Sequence, residues 1–246
     1  MKNGLALGVL LARLALLALL AGCRSTRAPW NGRVDLYGTM REVMMEQKTQ
    51  GRVELSTLSG DPELVGIGAL EQLAGEVVIL DGVVWCTRSG DLGTLDTRAG
   101  AAPGELATVL AVARVPHWIR VSVPPGLAAS GIEAFVEKAA REHGLGRAIT
   151  FPFVIEGEFR DVRAHVLHGR CPYMGKGPRE TEPVRRLLPS AKGRLVGFYT
   201  TLSPGTLTHM GEKTHVHLLV KEGEPLAAHV DALRIEAGAV LELPVD

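Results

Sequence analysis

The sequence lacks any excess of charge, because its 27 Lys and Arg residues balance 27 Asp and Glu residues. The first 22 residues hold two basic and no acidic residues, so the remaining chain has a net charge of about −2 with His neutral. This balance argues against a general nucleic-acid binder. The sequence also lacks internal repeats, low-complexity segments, a nucleophile elbow, a phosphate-binding loop and a dinucleotide fingerprint.

Cysteine and long apolar runs are also scarce. Only Cys86 and Cys171 lie beyond Cys23. An oxidising compartment would permit a disulfide between these two residues, but their spacing in the sequence does not give the distance between them, so we leave them unpaired. The apolar run from Leu14 to Leu20 is well short of the roughly 20 residues that a membrane-spanning helix needs. An uncleaved anchor is therefore the weaker interpretation of the N-terminus.

The tetrad Leu20-Ala21-Gly22-Cys23 follows this run and resembles the lipobox of bacterial lipoproteins. Lys2 and Arg13 precede it, as expected for a secretory signal. We predict that residues 1–22 are a signal peptide and that residues 23–32 are the lipidated Cys23 and a polar tether. The predicted location is therefore outside the cytoplasm, with the protein lipid-anchored to a bacterial membrane.

The remaining pattern predicts an α+β or mixed α/β fold with two sheet-containing domains, at 33–125 and 126–246, and a metal site near their junction. Asp81-Gly82 predicts a tight hairpin turn. Ser130 and Glu133 have capping-box spacing and predict the start of a helix that ends at Gly144. Other expected features are a short helix over 39–48, a strand over 106–115, a turn at Glu156-Gly157, an irregular segment over 169–192, and strands over 195–200, 215–220, 228–235 and 240–243.

Three histidines carry the clearest chemical pattern. His215 and His217 flank Val216 on a predicted strand, so their side chains project from the same face. A hairpin over 221–227 returns the chain and places His229 beside them. Three neutral imidazoles with an open fourth position are typical of catalytic zinc sites. We therefore predict that these histidines bind Zn²⁺, and His209 is open to three roles, as a ligand, as a hydrogen-bond partner of a ligand, or as a loop residue.

Four segments in this order resemble alpha-acetolactate decarboxylases. One is the strand and turn LAGEVVILDG, and another is the hairpin-like IEGEFR. The others are RLVGF, which precedes the metal loop, and AAHV, which contains the third histidine. These segments are 73–82, 155–160, 194–198 and 227–230, and the resemblance runs from about Asp35 to about Leu243.

The resemblance implies two α/β domains with the site at their junction, in a homodimer. It implies a small-molecule substrate, the 2-hydroxy-3-keto acid 2-acetolactate, which is converted to acetoin and CO₂ with zinc as the Lewis acid. It assigns His215, His217 and His229 as metal ligands. It assigns Glu76 as the acid/base or substrate-orienting carboxylate.

The sequence departs from the family at several positions. The family's catalytic arginine falls on His165, which can donate a proton but lacks a bidentate guanidinium. Arg163 lies two residues earlier on the same predicted strand face and is a candidate substitute. The family's threonine falls on Ala69, and its C-terminal glutamate has no counterpart before Asp246. These departures support an alternative, a non-catalytic lipoprotein that retains the metal as a binding module.

A cupin-like metal enzyme is the weaker alternative. His215 and His217 followed by Glu222 imitate the first cupin motif, and His229 can supply the last ligand. Glu222, however, lies in a predicted turn with Gly223, where a solvated charge is the ordinary expectation.

Overall fold

The computed structural model describes residues 29–171, 181–209 and 211–245, which form two antiparallel sheets and few helices. The predicted signal peptide and Cys23 lie outside the described residues. Within the described ranges, no helix combines the length and apolar character needed to cross a bilayer.

The first sheet contains seven strands from the N-terminal half. Their spatial order is β1-β7-β3-β4-β5-β6, and β2 also pairs with β7. The predicted hairpin between β4 and β5 is present, with Asp81 at φ 56° and Gly82 at φ 76° as its tight turn requires. The strands are β1 (Asp35–Tyr37), β2 (Val53–Glu54), β3 (Leu64–Leu70), β4 (Gly75–Leu80), β5 (Val83–Ser89), β6 (Leu95–Ala99) and β7 (Leu106–Arg114).

The second sheet contains six strands in the order β10-β11-β12-β9-β13-β8. Because β10 also pairs with β9, the pairings among β9, β10, β11 and β12 close into a ring. The long strands β9 and β10 have 17 residues each and pair along their whole length. The strands are β8 (Trp118–Ser122), β9 (Thr150–Val166), β10 (Val184–Thr200), β11 (Thr214–Val220), β12 (Leu226–Ile235) and β13 (Val240–Pro244).

Helix α1 (Met40–Glu46) is shorter than the predicted range of 39–48. Thr39 and Glu42 form a capping box, which satisfies amide groups at the start of the helix. Met40 and Val43 are buried against the first sheet, in a small apolar cluster with Leu73. This helix therefore covers one side of the region that contains Glu76.

Helix α2 (Ala129–Glu142) is present, but the predicted cap is wrong. The N-cap residue is Ala128, so Ser130 lies inside the first turn and makes no capping bond. The Glu133 carboxylate instead accepts a hydrogen bond from the Lys213 amide, 2.8 Å away. The Glu133 carboxylate, which the capping-box spacing assigned to the start of the helix, therefore bonds to a residue distant in the sequence instead.

The predicted turn at Glu156-Gly157 is also wrong, because β9 continues through it. Gly157 pairs with Gly193 in β10, and a Cβ at Gly157 would lie 2.6 Å from the Ala239 Cβ. The glycine therefore permits a close approach between chain segments rather than a reversal. The predicted irregular segment is wrong from Val184 onward, since β10 begins there and satisfies the backbone groups of β9.

The largest buried cluster contains residues from both sheets, including Ile67 and Val78 from the first and Phe153 and Phe198 from the second. The chain passes from the first sheet to the second between Arg114 and Trp118, before the predicted boundary at 125/126. The division into two domains at that boundary stays a prediction. A shared core means that the two sheets stabilise one another.

Cys86 and Cys171 are both buried, and no disulfide joins them. They belong to different apolar clusters. Burial, the largest cause, raises the pKa of the Cys86 thiol to about 12. The Cys86 side chain therefore behaves as a small apolar core residue.

Candidate metal centre

The predicted three-histidine group is assembled in the structure. His217 on β11 lies directly opposite His229 on β12, and His215 lies two residues before His217 on the same strand face. The His215 Nε2 atom is 3.1 Å from His229 Nδ1 and 3.2 Å from His217 Nε2. One nitrogen from each ring therefore faces a common point.

Backbone carbonyls orient two of the three rings. His215 donates through Nδ1 to the Leu207 carbonyl at 3.0 Å, and His217 donates through Nδ1 to the Val77 carbonyl at 3.2 Å. A ring that donates through Nδ1 keeps Nε2 unprotonated and available as a ligand. Val77 belongs to the first sheet, so one ligand of the second sheet is oriented by the first.

Burial keeps the three imidazoles neutral. It is the largest cause that lowers the pKa of His215 to about 4. Burial and the neighbouring histidines lower the pKa values of His217 and His229 well below their ordinary value. Neutral imidazole is the form that binds a metal ion, so no proton has to leave these rings near neutral pH.

The donor set fits zinc. Among the described residues, the potential ligand atoms of His215, His217 and His229 all lie within 4.8 Å of one another. Nitrogens bound to tetrahedral zinc at about 2.0–2.1 Å lie roughly 3.4 Å apart, close to the two shortest separations here. Three imidazoles leave a fourth coordination position open, which is typical of catalytic rather than structural zinc.

Glu76 on β4 extends from the first sheet to this group. Its Oε1 atom accepts a hydrogen bond from the Leu167 amide at 3.2 Å, and its Oε2 atom is 3.6 Å from His217 Nε2. Burial, partly offset by the Leu167 amide and reinforced by Asp231, raises the pKa of Glu76 well above its ordinary value. The 3.6 Å separation is too long for a hydrogen bond, so this contact does not hold either group in its charged form.

The local backbone at Glu76 depends on a glycine. Gly75 has φ 155°, and a Cβ there would collide with the Thr87 carbonyl oxygen on β5. Strand β4 can therefore start at residue 75, with Glu76 directed toward the histidines, only if residue 75 has no side chain. This gives a physical reason for the Gly-Glu pair in the sequence.

His165 on β9 lies directly opposite His229, and their ring centroids are 4.7 Å apart. Its Nδ1 atom is 2.8 Å from Asp231 Oδ1, which leaves Nε2 as the nitrogen available to the site. The sequence interpretation missed Asp231. Its position two residues after His229 on a strand was the available signal, because alternate residues share a face.

A small cavity of about 30 Å³ adjoins the histidines and has room for about one or two water molecules. Ala69, Glu76 and Leu73 contribute from the first sheet's side. The second sheet and its loops contribute His165, His209, His215 and His229. The cavity therefore lies between the two sheets, as predicted for the metal site.

His209 is buried in this lining, with its ring centroid 5.9 Å from that of His215 and 5.6 Å from that of His229. Burial is the largest cause that lowers its pKa to about 3. This buried position does not fit an ordinary loop residue. The two other roles, as a ligand or as a hydrogen-bond partner of a ligand, stay open.

Two residues considered from the sequence are not in the cavity. Arg163 is exposed and lines a separate surface groove with Leu187 and Arg234. Glu222 is exposed in the turn between β11 and β12 and is not part of the ligand group found among the described residues. The cupin-like arrangement, which needs this glutamate beside the histidines, is therefore absent from the described residues.

The fold and the site together define an α+β protein with a buried three-histidine group, arranged as a metal ion would require, between two sheets. The sequence model of the alpha-acetolactate decarboxylase family matches residues 36–243. The chain belongs to this family. Family membership and the mixed fold with two sheets were both predicted from the sequence and are confirmed.

Solved structures with the same fold include alpha-acetolactate decarboxylase from Bacillus subtilis strain 168, at 18% identity and TM-score 0.63 over 86% of each chain. Acetolactate decarboxylase from Bacillus subtilis subspecies spizizenii has 17% identity and TM-score 0.65, over 87% of this chain and 86% of that one. A Staphylococcus aureus protein of unknown function, described as similar to alpha-acetolactate decarboxylase, has 19% identity and TM-score 0.62, over 85% and 84%. A search of curated proteins gives no significant match.

The first prediction concerns metal content. The purified protein should contain one zinc ion per chain, and His217→Ala should retain much less, because only two imidazoles remain. Elemental analysis after dialysis measures this. His143→Ala, which removes an exposed histidine at the end of α2, is the matched control and should keep the full content. An unchanged metal content in His217→Ala would contradict the assignment.

The second prediction concerns the pH dependence of the chelator-treated protein. The folded state holds His215 neutral to a pKa of about 4, whereas the unfolded chain has the ordinary value of 6.5. The unfolded state therefore binds more protons, and the free energy of unfolding should decrease as pH falls from 6.5 to 4. The shift of His215 alone corresponds to roughly 3 kcal/mol. Denaturant titrations at a series of pH values measure the change.

Two variants separate the contributions to this pH dependence. His215→Asn removes a titrating ring and should flatten the curve. Glu76 acts in the opposite direction, because its raised pKa favours the folded state at low pH, so Glu76→Gln should steepen the curve. A free energy of unfolding that stays constant or increases as pH falls would show that these rings are not held neutral by the fold.

Proposed function

We propose that this protein is a zinc-dependent decarboxylase that converts 2-acetolactate, or a similar 2-hydroxy-3-keto acid, to acetoin and CO₂. The observation that carries the proposal is the convergence of Glu76 from the first sheet with three neutral histidines from the second. Membership of the alpha-acetolactate decarboxylase family supports it. A carboxylic acid and a metal centre, both buried, are the groups that this reaction requires.

The proposed metal ligands are His215, His217 and His229. When bound, Zn²⁺ supplies a Lewis acid that stabilises the negative charge developing on the substrate as CO₂ departs. The three rings contribute no charge of their own, because burial keeps them neutral. The three rings and Glu76 are buried, and burial strengthens the electrostatic interactions among them.

Glu76 is proposed to hold a proton at Oε2. The Leu167 amide already occupies Oε1, and the raised pKa of the carboxyl group keeps it protonated at a pH where an exposed glutamate is ionised. A carboxylic acid in this state can donate to a substrate oxygen and accept the proton back. The proton is therefore held on a buried carboxyl group beside the histidines.

His165 is proposed to return a proton to the carbon atom from which CO₂ leaves. Loss of CO₂ from the carboxylate leaves an electron pair on that carbon, and acetoin forms when one proton is added. Asp231 accepts a hydrogen bond from Nδ1, so the ring has a proton to donate at Nε2 when it is in the doubly protonated imidazolium form. Solvent then resupplies the proton, so the net reaction consumes one proton for each CO₂ released.

A second candidate function is a non-catalytic binding module that retains the metal. One observation favours it: among the described residues that line the interior cavity, none carries a guanidinium or ammonium group to neutralise a substrate carboxylate. Acetoin production separates the two candidates, since metal binding is common to both.

We also propose that the protein is exported and anchored through lipidated Cys23, supported by the Leu20-Ala21-Gly22-Cys23 motif. The balanced net charge of the chain gives no reason to expect nucleic acid as a partner. The homodimer implied by the family stays a prediction.

The third prediction concerns catalysis by the zinc-loaded mature protein in detergent. It should release acetoin from 2-acetolactate faster than buffer alone, and Glu76→Gln should reduce kcat about 10²–10⁴-fold, because a positioned general acid is lost. Glu71→Gln removes a carboxylate five residues earlier, outside the cavity, and should leave the rate unchanged. If wild type and His165→Arg are both inactive with zinc bound, the decarboxylase proposal fails and the binding module takes its place.

The fourth prediction concerns the N-terminus. Mature protein from bacterial cells should begin at Cys23, carry acyl chains and sediment with membranes, because two or more chains anchor a protein stably. Cys23→Ser should abolish labelling by a radioactive fatty acid, whereas Ser25→Ala should not. Recovery of the mature chain unacylated in the soluble fraction would refute the anchor.

A further inference from the structure

A row of four side chains crosses the second sheet through the metal centre. His217 on β11 pairs with His229 on β12, His229 pairs with His165 on β9, and His165 pairs with Arg185 on β10. Side chains of directly opposite residues in antiparallel strands project from the same face. The row therefore begins with two metal-ligand candidates and ends with a guanidinium group.

Asp231 connects the last two members of the row. Its Oδ1 atom is 2.8 Å from His165 Nδ1, and its Oδ2 atom is 3.4 Å from Arg185 Nη1. The Arg185 side chain is 61% exposed, while that of His165 is 3% exposed. The guanidinium thus lies at the solvent-facing end of the row. Among the described residues it has one long side-chain contact, with Asp231, which an incoming anion can replace at little cost.

A surface groove of about 680 Å³ leads to the same place. Arg185, Asp231 and His229 line it, together with the acidic residues Glu133 and Glu212. His229 also lines the small interior cavity, so it is common to the groove and the cavity. Among the described residues that line the groove, Arg185 is the one cation.

We propose that Arg185 binds the carboxylate of the substrate where the groove meets the metal centre, an inference that rests on the proposed decarboxylase function. The interior cavity has room for about one or two water molecules, so a branched hydroxy acid extends into the groove. The planar guanidinium matches a carboxylate with two parallel hydrogen bonds. The substrate's hydroxyl and keto oxygens then lie toward the histidines and its carboxylate toward solvent.

Because its surroundings are acidic, Arg185 is the one described residue of the two linings that can bind the substrate carboxylate. Glu133, Glu212 and Asp231 repel an anion, and neither described cavity lining contains a lysine or a second arginine. When the substrate takes Oδ2's place on Arg185, Asp231 keeps its shorter bond to His165. The inferred ligand class is small 2-hydroxy carboxylates, and neutral analogues of the same shape are expected to bind weakly.

Binding of a matched pair of stable probes tests this role without any turnover. The probes are 2-hydroxyisobutyrate and its neutral amide, titrated by calorimetry into the zinc-loaded mature protein. Wild type should prefer the carboxylate, and Arg185→Ala should bind it about 10- to 100-fold more weakly while binding the amide unchanged, as expected for a lost charge-assisted pair. Arg185→Lys should recover part of the preference, because it keeps the charge but not the fork.

Arg186→Ala is the matched control, since it removes the same charge one residue away on the opposite strand face. Zinc content and circular dichroism establish that each variant is folded, and Arg185→Gln provides a second, polar replacement. If wild type shows no preference for the carboxylate, or if Arg185→Ala and Arg185→Gln both keep it, Arg185 is not the carboxylate site.

The acetoin assay separates this inference from the proposed function. A higher KM in Arg185→Ala with little change in kcat supports the binding role, and an unchanged KM overturns it. If no variant produces acetoin while the carboxylate preference still depends on Arg185, the decarboxylase proposal fails and the binding site remains.

Discussion

The site depends on the register of β9, β11 and β12, which places His165, His229 and His217 directly opposite one another. A shift of one residue in any pair would turn a histidine to the other face of the sheet. Two further constraints hold this register: β9 also pairs with β10 along its full length, and β10 pairs with β11. Because the pairings close into a ring, slipping one strand would require slipping its neighbours.

Much of the site was predictable from local spacing. His215 and His217 share a face because strand side chains alternate, and Asp81-Gly82 reverses the chain because both residues tolerate positive φ. These features are set within a few residues of chain. The grouping of His215, His217 and His229 followed from this spacing and from the family resemblance, and the resemblance also singled out Glu76.

The rest depended on contacts between distant segments, which spacing does not encode. Glu133 does not cap α2, because its carboxylate accepts a hydrogen bond from the Lys213 amide. Gly157 lies inside a strand because β9 pairs with β10 through it, and the close approach of Ala239 leaves no room for a side chain there. The sequence predicted an irregular segment for the first half of β10, because its Arg and Pro residues are not typical of a strand and its pairing with β9 is a contact between distant segments. Arg185, which lies in this half, was therefore not considered as a site residue.

The carbonyl of Val77, which accepts the His217 Nδ1 proton, has an evolutionary consequence. No substitution at position 77 removes that acceptor, since every amino acid supplies the same backbone oxygen, and the Leu207 carbonyl that orients His215 behaves alike. Selection on the histidine site therefore acts on the path of the chain at these two points, whereas the buried side chains of Val77 and Leu207 are constrained by core packing. An insertion or deletion in β4 is the kind of change that lineages of this protein would tolerate least.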